Sequence, residues 1–400
     1  MSKTSFEYIV IGKGLMGAAA ARHLTAASQS VALIGPDEPQ GRSGHQGVFG
    51  SHYDEGRITR ILDPNHLWAL LAQRSLARYR EVEAQSGISF YHEVGHLMVA
   101  PTPESPEDYM ARVQTVAADL SVACARYTDA ALAEHFPYLA FESGSVGMYQ
   151  PHTAGHVSPR AQVRAQASAA QKQGARLITA SVHRVQQRAD AVQISTDEGE
   201  VFHAKKVLVA TGAFSNTKCL LPRPVDIAVS ARTIVLMELD VADVARLQGM
   251  PSIIYKPRNP AEHCYILPPI RYPDGKYYLK IGGHTGGPTL RSLAELQAWF
   301  RGTGQVTAGR HLTERLHAVV RDLRPLAVHT DSCVTTHTPS GQIYADRIDG
   351  GPLGVLLGGN GSAAKSADEI GRLGALMMLH EDWNYDLEAE HFRVRFAAKP

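Results

Sequence analysis

Phe6-Glu7-Tyr8-Ile9-Val10-Ile11-Gly12-Lys13-Gly14-Leu15-Met16-Gly17 is the stretch that decides the fold. Its first half is apolar and β-branched, and Phe6–Gly12 reads as a short buried strand. Alanine-rich Met16–Ala27 reads as a helix and Val31–Ile34 as a second strand, giving a β-turn-α-β unit. In such a unit Gly12 permits the tight turn, Gly14 lets the backbone approach a diphosphate, and Gly17 allows close helix–strand packing. The helix start adds amide donors and the positive end of a dipole. A glycine pattern alone is weak evidence, since a turn without a ligand can look the same. Its place between a strand and a helix makes a dinucleotide site the stronger reading. The acidic residue that usually ends the second strand and holds a ribose is missing: Ile34-Gly35-Pro36-Asp37 stands there, leaving Asp37 or Glu38 to act from a shifted position.

The rest of the chain extends this unit. Asp63–Ser86 carries Leu67, Leu70, Leu71, Leu76, Tyr79 and Val82 at helical spacing and reads as one long helix stopped by Gly87. Phe90–Tyr91 and His96–Ala100 read as strands, and Tyr109–Leu120 as a helix after a loop rich in proline and glutamate. Ser158-Pro159 caps a helix that runs to Lys172. Leu177–Thr179, Val182–Gln186, Val192–Ser195 and the buried Lys206–Ala210 follow as strands, the last closed by Thr211-Gly212. Val229–Leu239 and Tyr277–Gly282 read as strands of a second, more polar sheet. Leu293–Phe300 and Thr313–Val320 read as helices. Gly354–Leu357 is a last buried strand, whose turn Gly358-Gly359-Asn360-Gly361-Ser362 feeds a helix over Ala363–His380.

Composition excludes several classes. The 400 residues have a formal net charge of +1, so no basic footprint points to nucleic acid or to membrane lipid. The apolar runs are strand-sized, well short of a membrane span. Cys124, Cys219, Cys264 and Cys333 lack metal or redox spacing. With no apolar signal segment at the N-terminus, a cytoplasmic protein with reduced thiols is expected.

Four segments resemble the FAD-dependent amine oxidases typified by monomeric sarcosine oxidase and N-methyltryptophan oxidase, a branch of the D-amino-acid-oxidase-like oxidoreductases. They are Gly50-Ser51-His52-Tyr53-Asp54-Glu55-Gly56-Arg57-Ile58-Thr59-Arg60, Lys280-Ile281-Gly282-Gly283-His284, Cys333-Val334-Thr335-Thr336-His337-Thr338-Pro339 and Gly358–Lys365. The resemblance runs through most of the chain and is thinnest in the middle of the substrate domain. It favours FAD over a nicotinamide, because the chain leaves its first sheet early and returns at Thr211-Gly212 and at Gly358–Ser362, where the family contacts the flavin. The implied fold is α/β: an FAD-binding Rossmann-like domain with a mostly parallel sheet (1–86, 150–225 and 325–400) interleaved with an α+β substrate domain carrying a mixed or antiparallel sheet (87–149 and 226–324).

By resemblance, Lys280 stands beside the flavin to activate dioxygen, Arg57 lies near the ring, His284 near the substrate amine, and Tyr265 in the active site. Arg60 and Lys365 match two carboxylate-binding positions, and Cys333 matches a cysteine joined to the flavin by a thioether. Together with the glycine turn, the implied cofactor contacts are Gly12, Gly14, Leu15, Met16, Gly17, Asp37, Ser51, His52, Val182, Thr211, Gly212, Cys333, Gly359, Gly361, Ser362 and Lys365. Two departures imply a reshaped substrate pocket: Thr335 replaces an aromatic residue and Tyr53 a histidine.

The implied function is oxidation of a carbon–nitrogen bond in a secondary or N-methyl amino acid, or a related acidic amine. The imine hydrolyses and dioxygen becomes hydrogen peroxide; the amine and dioxygen are the expected partners, with no nucleic acid or membrane and with the oligomeric state open. A dehydrogenase using another acceptor, a nicotinamide enzyme sharing only the first motif, and a non-catalytic flavin-binding protein are the rivals.

Overall fold

The first strand spans Ser5–Ile11, and its last four residues are buried, as a parallel strand covered on both faces requires. The computed structural model describes residues 4–283 and 285–398. Val31–Ile34 pairs in parallel with one edge of this strand and Val201–Val209 with the other. Strand order reverses here, and the glycine turn leaves from the carboxyl end, where open α/β sheets form ligand clefts. Arg176–Ile178 continues the sheet beyond Val31–Ile34. Val201–Val209 is shared along its other edge: its first half takes Val192–Thr196 antiparallel, and its last three residues take Leu353–Leu357 in parallel. Val182–Gln187 and Tyr344–Arg347 complete the sheet as antiparallel strands.

Helices Leu15–Thr25, Pro159–Lys172 and Ala363–Leu379 cover one face. The first and last touch through small residues; a Cβ on Gly371 would stand 2.4 Å from the Ala19 Cβ. This close approach fixes where the last helix aims its N-terminus.

A second sheet of eight strands runs in the order Ala327–His337, Ala228–Leu239, Tyr277–Gly283, Cys264–Arg271, Ser252–Tyr255, His96–Pro101, Ser145–Gln150 and Ala125–Tyr127. It is antiparallel except where Ser252–Tyr255 meets His96–Pro101. Its expected polar character is not observed, since Val235, Met237, Ile266, Leu279 and Ile281 sit in an apolar core. Arg57–Thr59, Gly155–Val157 and Tyr91–His92 form a small third sheet.

Two expected helices differ. Asp63–Ser86 is two helices, His66–Leu76 and Tyr79–Ser86. The break at Ala77-Arg78 turns the Arg78 guanidinium onto Asp368 and Glu369, so a tertiary ion pair outweighs continuous helical periodicity. The first of these helices is capped by Asn65, which accepts from the Trp68 amide at 3.1 Å, leaving Asp63 outside the helix. The helix expected at Thr313 begins at Val306.

Candidate functional site

The glycine turn works by close approach. Gly12 has φ +113°, and a Cβ there would lie 2.4 Å from the Ala210 carbonyl oxygen. A Cβ on Gly17 would lie 2.0 Å from the Gly12 carbonyl oxygen. Glycine at these positions lets strand, turn and helix nest together. The missing strand-end acid has the same kind of cause: a Cβ on Gly35 would meet the Lys13 amide nitrogen at 2.6 Å. Lys13 instead pairs with Asp37, and Thr179 donates to Asp37 at 3.1 Å. That pairing, with Thr179 in support, holds the Asp37 carboxyl below its ordinary pKa.

A cleft opens at this turn, its lining including Gly12, Lys13, Gly14, Leu15, Met16, Gly35, Ser181, Val182, Thr211, Gly212 and Lys218. Ser51, His52, Arg57, Cys333, Gly359 and Gly361 belong to the same wall. Strand Ala327–His337 of the second sheet therefore contributes Cys333, Val334, Thr335 and Thr336 to the cleft wall. Of the remaining expected residues, Gly17 packs beneath the turn. Asp37, Ser362, Lys365, Arg60, Lys280 and Tyr265 are not in the wall. His284 lies outside the described residues. Thr335, Thr336, Ser181 and Lys218 line the cleft without having been singled out as cofactor contacts. Burial pulls the His52 imidazole down to about 4, leaving it neutral.

Within this wall, Arg57 donates to the Cys333 sulfur at 3.3 Å, to the Ser51 carbonyl at 3.1 Å and to the Gly56 carbonyl at 3.0 Å. Trp299 fixes the backbone there by donating to the Cys333 carbonyl at 2.8 Å. Behind Arg57, Lys280 is fully buried and donates to the Gly56 carbonyl at 2.7 Å. Asp54 contacts both cations, and Tyr272 donates to it at 2.9 Å. Burial, followed by the Arg57 charge, pulls Lys280 well below its ordinary pKa, while the touching carboxylate works to keep the proton on the pair. The three groups together carry one net positive charge, wherever that proton sits. Tyr265 completes the cluster, its ring 5.9 Å from the Lys280 Nζ.

Arg60 and Lys365 also come together, but on a protein carboxylate. Lys365 Nζ donates to Asp63 Oδ2 at 2.7 Å and Arg60 Nη2 to the same oxygen at 3.2 Å. The Asn65 amide holds the other oxygen at 3.0 Å. Burial opposes the Asp63 charge, yet Lys365 and Arg60 outweigh it and keep the carboxyl below its usual range. Burial brings Lys365 down to about 8.

The last helix is held in place by a buried charge network that the sequence reading missed. Asp368 accepts from Arg22 at 2.7 Å, Gln166 at 2.9 Å and Arg78 at 2.6 Å. Glu369 takes Arg78, Arg372 and Tyr385. Only separation in sequence hid it, since an acidic pair inside a helix gives no local signal. Among the described residues no group of histidines, cysteines and carboxylates is arranged to hold a metal ion, and no helix is long and apolar enough to cross a membrane.

Comparison with known proteins agrees with this architecture. The family described as DAO, FAD dependent oxidoreductase, matches residues 7–377. N-methyl-L-tryptophan oxidase of Salmonella arizonae is 23% identical over 398 residues, covering 96% of this chain and 97% of that one. Monomeric sarcosine oxidase of Bacillus sp. is 24% identical over 300 residues, covering 72% and 70%. Among solved structures, the open form of NikD, an unusual amino acid oxidase essential for nikkomycin biosynthesis, superposes with a TM-score of 0.77 at 19% identity, covering 100% of this chain and 99% of that one.

Proposed function

Because the chain belongs to the DAO family of FAD-dependent oxidoreductases, we propose that it oxidises a carbon–nitrogen bond of a secondary or N-methyl amino acid, or a related acidic amine, reducing dioxygen to hydrogen peroxide. The cleft fits the cofactor: a Cβ on Gly14 or Gly361 would meet nothing within 4 Å, so both turns present bare backbone to open space. Amides of the glycine turn would hold the diphosphate, and the N-terminus of Ala363–Leu379 would face the flavin ring with its positive dipole end. FAD, once bound, accepts a hydride from the carbon beside nitrogen and passes the electrons to dioxygen. The chain supplies position and charge. Arg57, Lys280 and Asp54 set the field beside the cleft, and Cys333 would hold the cofactor through a thioether.

The convergence of Cys333, Arg57 and buried Lys280 beside the cleft that the glycine turn opens carries this reading. The names of the two relatives, oxidases of N-methyl amino acids, support the substrate class. In the same proposal, residues 1–86, 150–225 and 325–400 act as the cofactor domain, while 87–149 and 226–324 act as the substrate domain. Strand Ala327–His337 reaches across from the second sheet. A second reading, transfer to an acceptor other than dioxygen, is favoured by Asp54, which offsets part of the positive charge on which oxygen activation depends.

Aerobic incubation with a panel of N-methyl amino acids, followed by peroxide assay, separates these readings. Peroxide at the rate of amine consumption fits the oxidase. Amine consumption only with an artificial acceptor fits the dehydrogenase, and yellow protein bleached by no amine would remove both. Acid precipitation tests the thioether: colour in the pellet, with a Cys333 peptide heavier by the flavin, is expected. Colour in the supernatant would exclude the link.

A further inference from the structure

An acid group on the substrate needs a cation, and the two cations expected to supply it are already engaged. Arg60 and Lys365 share the Asp63 carboxylate, which the Asn65 amide holds in place. A carboxylate from outside would have to displace one that is covalently tethered at the same spot.

Arg232 is in the opposite situation. It sits directly across the strand pair from Cys333. Its Nε donates to Thr335 Oγ1 at 3.1 Å, and its Nη2 lies 3.3 Å from His337 Nε2. Thr335 Oγ1 is in turn 2.8 Å from the same imidazole nitrogen. Both partners are uncharged in this state: burial, followed by the Arg232 charge, keeps the imidazole below its ordinary pKa. Among the described residues no carboxylate forms an ion pair with Arg232. Burial lowers its pKa as well, opposed by the fields of Tyr265 and Cys333. A half-buried guanidinium without a counter-ion, hydrogen-bonded to a residue in the cleft wall, suits bidentate capture of a carboxylate.

We propose that Arg232, oriented by Thr335 and His337, binds the acid group of the substrate, while Asp63 keeps Arg60 and Lys365 as an internally neutralised structural cluster. The assignment rests on the proposed oxidation of an acidic amine and names the residue that would select it. Thr335, which lines the cleft, is the residue through which the guanidinium is held beside it.

The test uses the FAD-loaded protein, with benzoate as a simple carboxylate and benzyl alcohol as its uncharged counterpart, each titrated against the visible flavin spectrum. Benzoate is expected to perturb the wild-type spectrum and benzyl alcohol to bind weakly. Arg232→Gln should weaken benzoate by roughly 30-fold or more, as expected when one partner of a buried charged pair is removed. Benzyl alcohol binding should stay unchanged in that variant, and Arg232→Lys should recover part of the loss. Wild-type protein that benzoate does not perturb would overturn the assignment. So would Arg232→Gln binding benzoate as wild type does, or Asp63→Asn tightening benzoate while Arg232→Gln has no effect. Flavin content and melting temperature of each variant exclude misfolding as the cause. Protein that binds benzoate through Arg232 but is bleached by no amine would remove the oxidase reading and leave this assignment standing.

Discussion

Replacing Lys280 by methionine removes one positive charge from beside the cleft while keeping a side chain of similar length. In the wild type, Arg57, Lys280 and Asp54 sum to one positive charge; in Lys280→Met, Arg57 and Asp54 cancel. A unit charge about 6 Å from the reacting atoms, at an effective dielectric of about 20, is worth about 3 kcal/mol. Electron transfer to dioxygen first produces superoxide, an anion that this charge stabilises. Loss of the charge should therefore slow reoxidation by roughly a hundredfold. Hydride transfer from the amine would put its negative charge on the flavin ring, where the N-terminus of Ala363–Leu379 would share in stabilising it, and should change less. Stopped-flow mixing reads the two half-reactions separately: amine with the oxidised protein under argon, then the reduced protein with oxygenated buffer. Equal slowing of both halves, or reoxidation within a factor of about 3 of wild type, would refute the charge argument. Asp54→Asn is the converse test. Without the carboxylate, burial and the Arg57 charge should release the Lys280 proton, leaving one positive charge on Arg57, so reoxidation should change far less than in Lys280→Met while the melting temperature falls.

Three further outcomes are expected. Gly14→Val places its side chain in open space in the cleft wall, so the protein should fold with near wild-type circular dichroism yet purify colourless; wild-type FAD content would remove the glycine turn as the diphosphate seat. Asp368→Ala leaves Arg22 and Arg78 without their shared buried carboxylate. Urea denaturation should show a loss of about 3–5 kcal/mol, and a loss under about 1 kcal/mol would show that Glu369 and water replace it. His156 is 5% exposed and stacked 4.7 Å from His92, and burial, aided by the His92 and Lys280 charges, pushes its pKa down to about 3. It stays neutral when folded but protonates near its ordinary 6.5 when unfolded. Its stabilising contribution is therefore complete above that value and lost on acidification toward about 3. About 2 kcal/mol should be gone by about pH 5. His156→Phe should flatten the fall in stability between about pH 7 and pH 5, and an unchanged slope would assign it to other groups.

The first βαβ unit was legible because its signals are local. Gly12, Gly14 and Gly17 stand at fixed spacing, and Val31–Ile34 forms with the bounds read from the sequence. The second sheet was legible only in part. Cys264–Arg271 contains Pro268-Pro269, which hid a strand that the structure accommodates with a register shift between Leu267 and Ile270. Ala327–His337 escaped notice because few of its residues are buried, leaving no alternating apolar pattern. Arg57, Lys280 and Cys333 stood out only through family resemblance, since a lone lysine on a strand looks solvated. Their carboxylate partners were not foreseen at all. Asp54 and Asp63 lie three residues before Arg57 and three after Arg60, and nothing local shows that each is shared with a lysine more than two hundred residues away.

The buried network on Asp368 and Glu369 also bears on how the chain is made. Arg22 belongs to the first helix synthesised, but its carboxylate partner is added 346 residues later. At about 5–20 residues per second, ribosomal synthesis leaves that guanidinium without its counter-ion for some tens of seconds. Once made, Val201–Val209 also waits for Leu353–Leu357, the second of its two parallel partners, and until then the wall formed by Gly359, Gly361 and Ala363 does not exist. Cofactor loading is thus tied to synthesis as far as Gly359–Ala363. A nascent chain halted before Leu353 would present the glycine turn without the opposite wall that closes over it.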